Sequence, residues 1–243
     1  MKSTLKVAVV VPTFNEAQNI EVLAKTVRKN ISKDDIIIIV DDNSPDGTGR
    51  IADKIAQKIK NVRVIHRKDK SGRGSAVFDG FKLAKKFSPD FYLEMDADFS
   101  HKPEDISRLL AKINEGYDIV IGSRYLPKSK IENWPLTRKL FSRAANLFAK
   151  LVLGVPISDY TNGFRIYSRK SADFLLGEKL VTKGYILLSE TAYKLKNNGF
   201  TFGEIPIVFV NRERGQSNTN LKEITDACLG VLKIRFPEVL NRS

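Results

Sequence analysis

Tyr92-Leu93-Glu94-Met95-Asp96-Ala97-Asp98 is an apolar run broken off by two carboxylates spaced i, i+2. The pattern predicts a strand over residues 91 to 95, whose period of two sends Asp96 and Asp98 to one side as the strand ends. Two carboxylates so placed can face one hard cation. Mg2+ or Mn2+ held by one or two carboxylates keeps positions open for phosphate oxygens. An isolated Asp-x-Asp is more often an acidic turn capping the next helix, so its neighbours must decide between the two.

Upstream, Lys6 to Val11 and Ile36 to Val40 are nearly all-apolar, as parallel strands covered on both faces require, and Val62 to Ile65 is a short strand. Helical spacing follows each: Ala17 to Asn30 with Ile20, Leu23, Ala24 and Val27 on one face, a helix to Ile59, and one to Phe87 after the basic loop Lys68 to Gly74. This alternation implies right-handed crossovers and an α/β, Rossmann-like fold, a mostly parallel central sheet flanked by helices. Such sheets bind ligands at the carboxyl ends of their strands. Three polar loops meet there: Pro12 to Glu16, Asp41 to Asp46, and Asp96 to His101. The first strand is not followed by Gly-x-Gly-x-x-Gly and no Gly-Lys-Ser/Thr phosphate loop occurs, which disfavours an ordinary NAD site.

Downstream, Pro103 opens a helix to Asn114 and Asp118 to Gly122 is a fifth strand, after which Leu126 to Leu136 departs from the βα rhythm. From Arg138 to Val152, Leu140, Phe141, Ala144, Leu147, Phe148, Leu151 and Val152 keep helical spacing, with Lys139, Arg143, Asn146 and Lys150 opposite. Such a helix serves either as core packing or as a basic amphipathic contact with an anionic membrane. Asp159 to Tyr167 is a loop entering a strand, Ser171 to Leu176 and Ile186 to Asn198 are helical, and Phe202 to Val210 is a strand whose Pro206 predicts a sheet edge. The loop Asn211 to Asn220 carries Arg212, Arg214 and Ser217, and a helix from Leu221 to Ile234 follows.

A chain of 243 residues with 42% hydrophobic content can bury a large core. It is expected to form a single domain over residues 1–243. The single cysteine, Cys228, excludes an internal disulfide, and its apolar neighbours predict a buried thiol. No signal peptide and no apolar stretch of about 20 residues is evident, so the expectation is a cytoplasmic protein, soluble or peripheral on a membrane. The net charge of +13 is concentrated in residues 54–86, at +9, and 124–150, at +6. Basic zones beside an acidic site suggest anionic partners. A nucleic-acid-binding module is the non-enzymatic alternative, but no binding motif supports it and it leaves the Asp clusters unexplained.

Six segments in order resemble the family 2 glycosyltransferases of GT-A fold, the nucleotide-diphospho-sugar transferase fold, and within them the dolichyl-phosphate mannose synthases. They are Val11-Pro12-Thr13-Phe14-Asn15-Glu16, Val40 to Thr48, Met95 to His101, Gly122-Ser123-Arg124-Tyr125, Trp134 to Lys139 and Arg212 to Ser217. The resemblance implies GDP-mannose as donor and a polyisoprenyl phosphate lipid as acceptor, with inversion. It implies nucleotide-sugar contacts from Pro12, Phe14, Glu16, Val40, Asp42, Asp96, Ala97, Asp98, Ser100, Arg124, Arg212 and Asn218. Asp96, Asp98 and Ser100 would hold Mg2+ or Mn2+, Arg124, Arg138 and Ser217 would meet the acceptor phosphate, and Asp98, Arg124 and Arg138 would carry the catalysis. Phe14 stands where the family often has Tyr, and Asn218 where many members have Lys. A family 2 enzyme using UDP-glucose or a related donor is the nearest alternative. A lipid acceptor implies peripheral membrane attachment, through Leu140 to Val152 and the basic zones, aided or not by a separate membrane-spanning subunit; nucleic acid is not an expected partner.

Overall fold

Runs of valine and isoleucine without polar alternation fit only where both faces are covered, and β1 (Val7–Thr13) and β2 (Ile36–Asp41) are buried at every residue. The computed structural model describes residues 5–182, 184–211 and 221–236, with side chains in the last stretch from 228 onward. The remaining strands are β3 (Val62–His66), β4 (Phe91–Glu94), β5 (Ile119–Ser123), β6 (Lys130–Glu132), β7 (Arg165–Ser168), β8 (Phe202–Pro206) and β9 (Val208–Val210). Seven of them form one sheet in the order β3-β2-β1-β4-β7-β5-β8. All run parallel except β7, which is antiparallel to both neighbours. The strand order reverses between β1 and β4, so a crevice opens outside their carboxyl ends.

The helices are α1 (Ile20–Asn30), α2 (Thr48–Lys58), α3 (Arg73–Lys85), α4 (Ile106–Ile113), α5 (Leu136–Leu153), α6 (Arg169–Gly177), α7 (Ile186–Asn197) and α8 (Leu221–Arg235). The period of two along each strand divides the core. Val7, Val9, Val11, Ile37 and Ile39 meet α1, α2 and α4, whereas Ala8, Val10, Ile36, Ile38 and Val40 meet α3 and the later helices.

Three sequence expectations change. The stretch Phe202 to Val210 does lie at the edge of the main sheet, but it breaks at Pro206. Beyond the break, β9 pairs with β6 in a separate two-stranded ribbon. Cys228 is only partly buried. In α5, for which the sequence leaves core packing and surface contact both open, Leu136, Leu140, Phe141, Leu147 and Leu151 are exposed while Phe148 and Val152 pack partly on the core. Asn146, expected on the outer polar face, is buried and accepts the Tyr160 amide. Among the described residues no helix is long and apolar enough to cross a membrane.

Gly80 lets α3 lie directly on β1 and β2, because a Cβ there would overlap the Val10 and Val40 side chains. Gly80→Ala is therefore expected to destabilise by about 1–3 kcal/mol, read as a fall in the midpoint of thermal unfolding with an unchanged circular dichroism spectrum at 20 °C or so.

Candidate active site

The loops after β1 and β2 are joined by short polar side chains. Asp41 Oδ1 accepts from Ser44 Oγ at 2.6 Å and from Thr13 Oγ1 at 3.2 Å, while the Asn15 amide donates to Ser44 Oγ and the Glu16 amide to Thr48 Oγ1. Asn15 and Asn43 both adopt φ of 59°, a left-handed conformation that asparagine tolerates better than most residues. Phe14 lies in this crevice with Lys70 Nζ 3.7 Å from its ring centroid. Asp42 accepts from Arg67 Nη1 at 2.8 Å and from the amides of Ser71 and Gly72, so it anchors the basic loop that leads into α3. Glu16 accepts from Asn19 Nδ2, and Pro12 is buried in β1. The side chain of Val40 is fully buried on the α3 side and that of Ala97 is packed in the opposite core, so neither faces the crevice.

At the end of β4, Asp96 Oδ1 takes the Arg73 Nε at 2.5 Å, and Asp98 Oδ1 accepts the Ser100 amide at 3.1 Å. Phe99 between them is held at φ of 59°, which for such a residue stores about 1–2 kcal/mol. The Ser100 hydroxyl is buried without a hydrogen-bond partner among the described residues. The orphaned hydroxyl lies in the same short loop as the Asp96 and Asp98 carboxylates, and all three are hard oxygen donors. Among the described residues no three His, Cys, Asp or Glu side chains converge into a metal cluster. An oxygen set of this kind suits Mg2+ or Mn2+ completed by phosphate oxygens.

His101 is fully buried and stacked on Phe164. The Asp96 amide donates to its Nδ1, so the proton is on Nε2, which donates to Asn162 Oδ1 at 2.7 Å. Both ring nitrogens are engaged in holding the loop.

Arg124 follows β5 and is locked to Asp159 by two parallel bonds of 2.7 Å, Nε to Oδ2 and Nη2 to Oδ1, with Nη2 also donating to Thr161 Oγ1. Burial opposes charge on the Asp159 carboxyl, but the guanidinium and the amide of Arg124 outweigh it and hold the carboxyl below the usual range. Trp134 has two arginines near it, with the Arg138 guanidinium 4.0 Å and that of Arg124 5.5 Å from its ring, and Phe209 of β9 packs edge-on against it. Arg138 Nη1 donates to Asn211 Oδ1 at 3.3 Å. The ribbon of β6 and β9 thus forms a wall beside Arg124. Arg212, Ser217 and Asn218 lie outside the described residues.

One segment that sequence reasoning did not single out connects these parts. In residues 159–163, Asp159 holds Arg124, Asn162 holds His101 and the Gly122 carbonyl, and the Gly163 carbonyl accepts from Arg73. The polar composition of Asp159-Tyr160-Thr161-Asn162-Gly163 was a signal. For Arg73 there was none, since it sits in what reads as a solvated basic loop.

The fold is found in glucosyl-3-phosphoglycerate synthase from Mycobacterium tuberculosis, crystallised with Mn2+, UDP-glucose and phosphoglyceric acid. The TM-score is 0.66 at 20% identity, over 96% of this chain and 79% of that one. It is found again in mannosyl-3-phosphoglycerate synthase from Rubrobacter xylanophilus, with a TM-score of 0.67 at 18% identity, over 98% and 75%. This is the GT-A fold of the nucleotide-sugar glycosyltransferases. Three curated relatives are closer in sequence. Polyprenol monophosphomannose synthase of Mycolicibacterium smegmatis is 38% identical over 100% of this chain and 92% of its own, and undecaprenyl-phosphate mannosyltransferase of Micrococcus luteus 35% over 94% and 93%. Dolichol-phosphate mannosyltransferase of Pyrococcus furiosus is 37% identical over 90% of this chain, which spans 61% of that protein's length. Residues 8–176 match the family described as Glycosyl transferase family 2, and the chain belongs to it: it is a glycosyltransferase.

The Asp159 carboxyl titrates below its unfolded value of about 3.9, so its stabilisation is complete above that pH and is lost as the pH falls through the folded value. Asp159→Asn is expected to destabilise by about 3–5 kcal/mol near pH 7, because Arg124 is left buried with half its partner. Urea unfolding measured from pH 7 down to pH 3 should show the gap to wild type narrowing only at the acid end.

Proposed function

We propose that this glycosyltransferase moves mannose from GDP-mannose to the phosphate of a polyisoprenyl lipid in a single inverting displacement. The observation that carries the acceptor half is the pair of guanidiniums about Trp134, together with a buried His101 whose two ring nitrogens are already engaged. A sugar hydroxyl would need a general base. A polyisoprenyl phosphate is anionic at neutral pH and needs only cationic donors that hold it in line. The sugar and the lipid class are supported by what the three relatives are called, since each name joins mannose to a polyprenyl phosphate.

In this reading Phe14 offers a face for the base, Glu16 and Asp42 take ribose or base donors, and Pro12 with the backbone of Val40 and Ala97 lines the crevice. A divalent cation held by Asp96, Asp98 and Ser100 Oγ would stabilise the negative charge that grows on the leaving diphosphate. Arg124, immobilised by Asp159, presents its remaining Nη1 donors to phosphate, and Arg138 lies 4.0 Å from the ring of the same Trp134. Arg212, Ser217 and Asn218 are assigned to phosphates on the resemblance alone. Residues 1–122 then serve the nucleotide sugar and 123–243 the acceptor.

The lipid requires a membrane, and the exposed leucines of α5 with Lys139, Arg143 and Lys150 suit a peripheral contact on the cytoplasmic face.

Transfer of labelled mannose from GDP-mannose to a short polyprenyl phosphate tests the reaction. Asp98→Ala should lower kcat by about 10²-fold or more, whereas faster transfer from UDP-glucose than from GDP-mannose, or a retained anomeric centre, would overturn the assignment. Flotation with anionic liposomes tests the attachment, using the chain alone so that any need for a membrane-spanning partner is seen. Leu140→Glu/Leu147→Glu/Leu151→Glu should abolish binding, each leucine being worth about 1.5–3 kcal/mol when buried, and leave the unfolding midpoint unchanged.

A further inference from the structure

Arg73 is the first residue of α3, yet its guanidinium reaches the end of β4. Nε donates to Asp96 Oδ1 at 2.5 Å, Nη1 to Glu94 Oε2 at 2.7 Å and Nη2 to the Gly163 carbonyl at 2.8 Å. Glu94 is itself buried and takes the Tyr167 hydroxyl on its other oxygen at 2.7 Å. Behind the group is a cavity of only about 10 Å3, lined in part by Arg73, Glu94, Tyr167 and Leu187, which is too small for the guanidinium to relax into.

We propose that Arg73 is the positioning residue for Asp96, fixing the orientation of the carboxylate that the proposed reaction assigns to the cation. The inference rests on that functional reading. Arg73 pairs with Asp96 at 2.5 Å and with Glu94 at 2.7 Å, so Glu94 offsets the positive charge that a lone guanidinium would set against a divalent cation. What remains is orientation: a planar fork bound to three acceptors on two chain segments leaves its Nε–H one direction, which a lysine ammonium cannot reproduce. The segment that carries the fork is also fixed at the nucleotide end, since the Ser71 and Gly72 amides are held by Asp42. Asp42 and Asp96 are therefore kept in register through a few bonds, so the crevice and the diphosphate end cannot drift apart independently.

Two variants remove the orientation without changing net charge. A methyl on Gly163 would overlap the Arg73 guanidinium, and this glycine is not left-handed, so Gly163→Ala displaces Arg73 while keeping every charge. The double variant Arg73→Met/Glu94→Gln deletes the neutral pair and leaves the Tyr167 hydroxyl an acceptor. Arg73→Lys keeps charge at the position and serves should either fold poorly.

Mn2+ binding in the presence of GDP is counted from the free-ion electron paramagnetic resonance signal, and GDP binding without metal is measured by calorimetry. All three variants are expected to weaken Mn2+ binding by about tenfold or more, with metal-free GDP affinity within about twofold of wild type. Wild-type Mn2+ affinity in the variants overturns the proposal, as does a parallel loss of Mn2+ and GDP binding, which is what a loosened fold would give. Failure of the wild-type protein to bind Mn2+ with GDP would sink the functional reading instead.

Discussion

A single antiparallel strand within a parallel sheet determines where the chemistry can be. β7 lies between β4 and β5 and runs against both, so the segment that enters it, residues 159–163, arrives at their carboxyl ends. Had β7 been parallel, that segment would have emerged on the far side of the sheet. Its placement lets Asp159, Asn162 and the Gly163 carbonyl reach Arg124, His101 and Arg73 in turn. Each of these belongs to a different part of the crevice.

The site is held by buried ions, and that is a demanding way to build. A buried pair contributes little net stability, but removing one partner leaves an uncompensated charge and costs several kcal/mol. Arg124 with Asp159, and Arg73 with Glu94 and Asp96, are therefore arrangements that tolerate little variation in geometry. This is useful where a phosphate or diphosphate must meet donors already in position, because ordering them during the reaction would add to the barrier. The left-handed residues Asn15, Asn43, Phe99 and Asn133 all flank the same crevice or its wall; the asparagines tolerate that conformation, whereas Phe99 is held in it by its surroundings.

Helix α5 resolves an ambiguity that amphipathic patterns always carry. Its periodicity says that one face is apolar and nothing about which side the protein lies on. The inner face is secured by Asn146, which satisfies the Tyr160 amide at the start of the linking segment, and by Ala149 and Leu153. The leucines are left outward, on the helix whose first turn carries Arg138. The proposed lipid acceptor would have its phosphate and its chain served by one helix and its N-terminal approach.

The sequence by itself determined the alternation of strands and helices, the three polar loops at strand ends, and the family, because apolar periodicity and short local motifs are properties of contiguous residues. It placed Asp96, Asp98, Ser100, Arg124 and Arg138 as candidates for the same reason. It could not distinguish Arg73 from the exposed lysines around it, nor detect that Val40 belongs wholly to the core, because burial depends on which segments meet and not on neighbours in the chain. Only the tertiary structure decided that β7 is reversed, that Phe202 to Val210 splits to build a second ribbon, and that the leucines of α5 face outward. Each follows from pairing between residues tens of positions apart, where the free energy lies in the contact and the local sequence is silent.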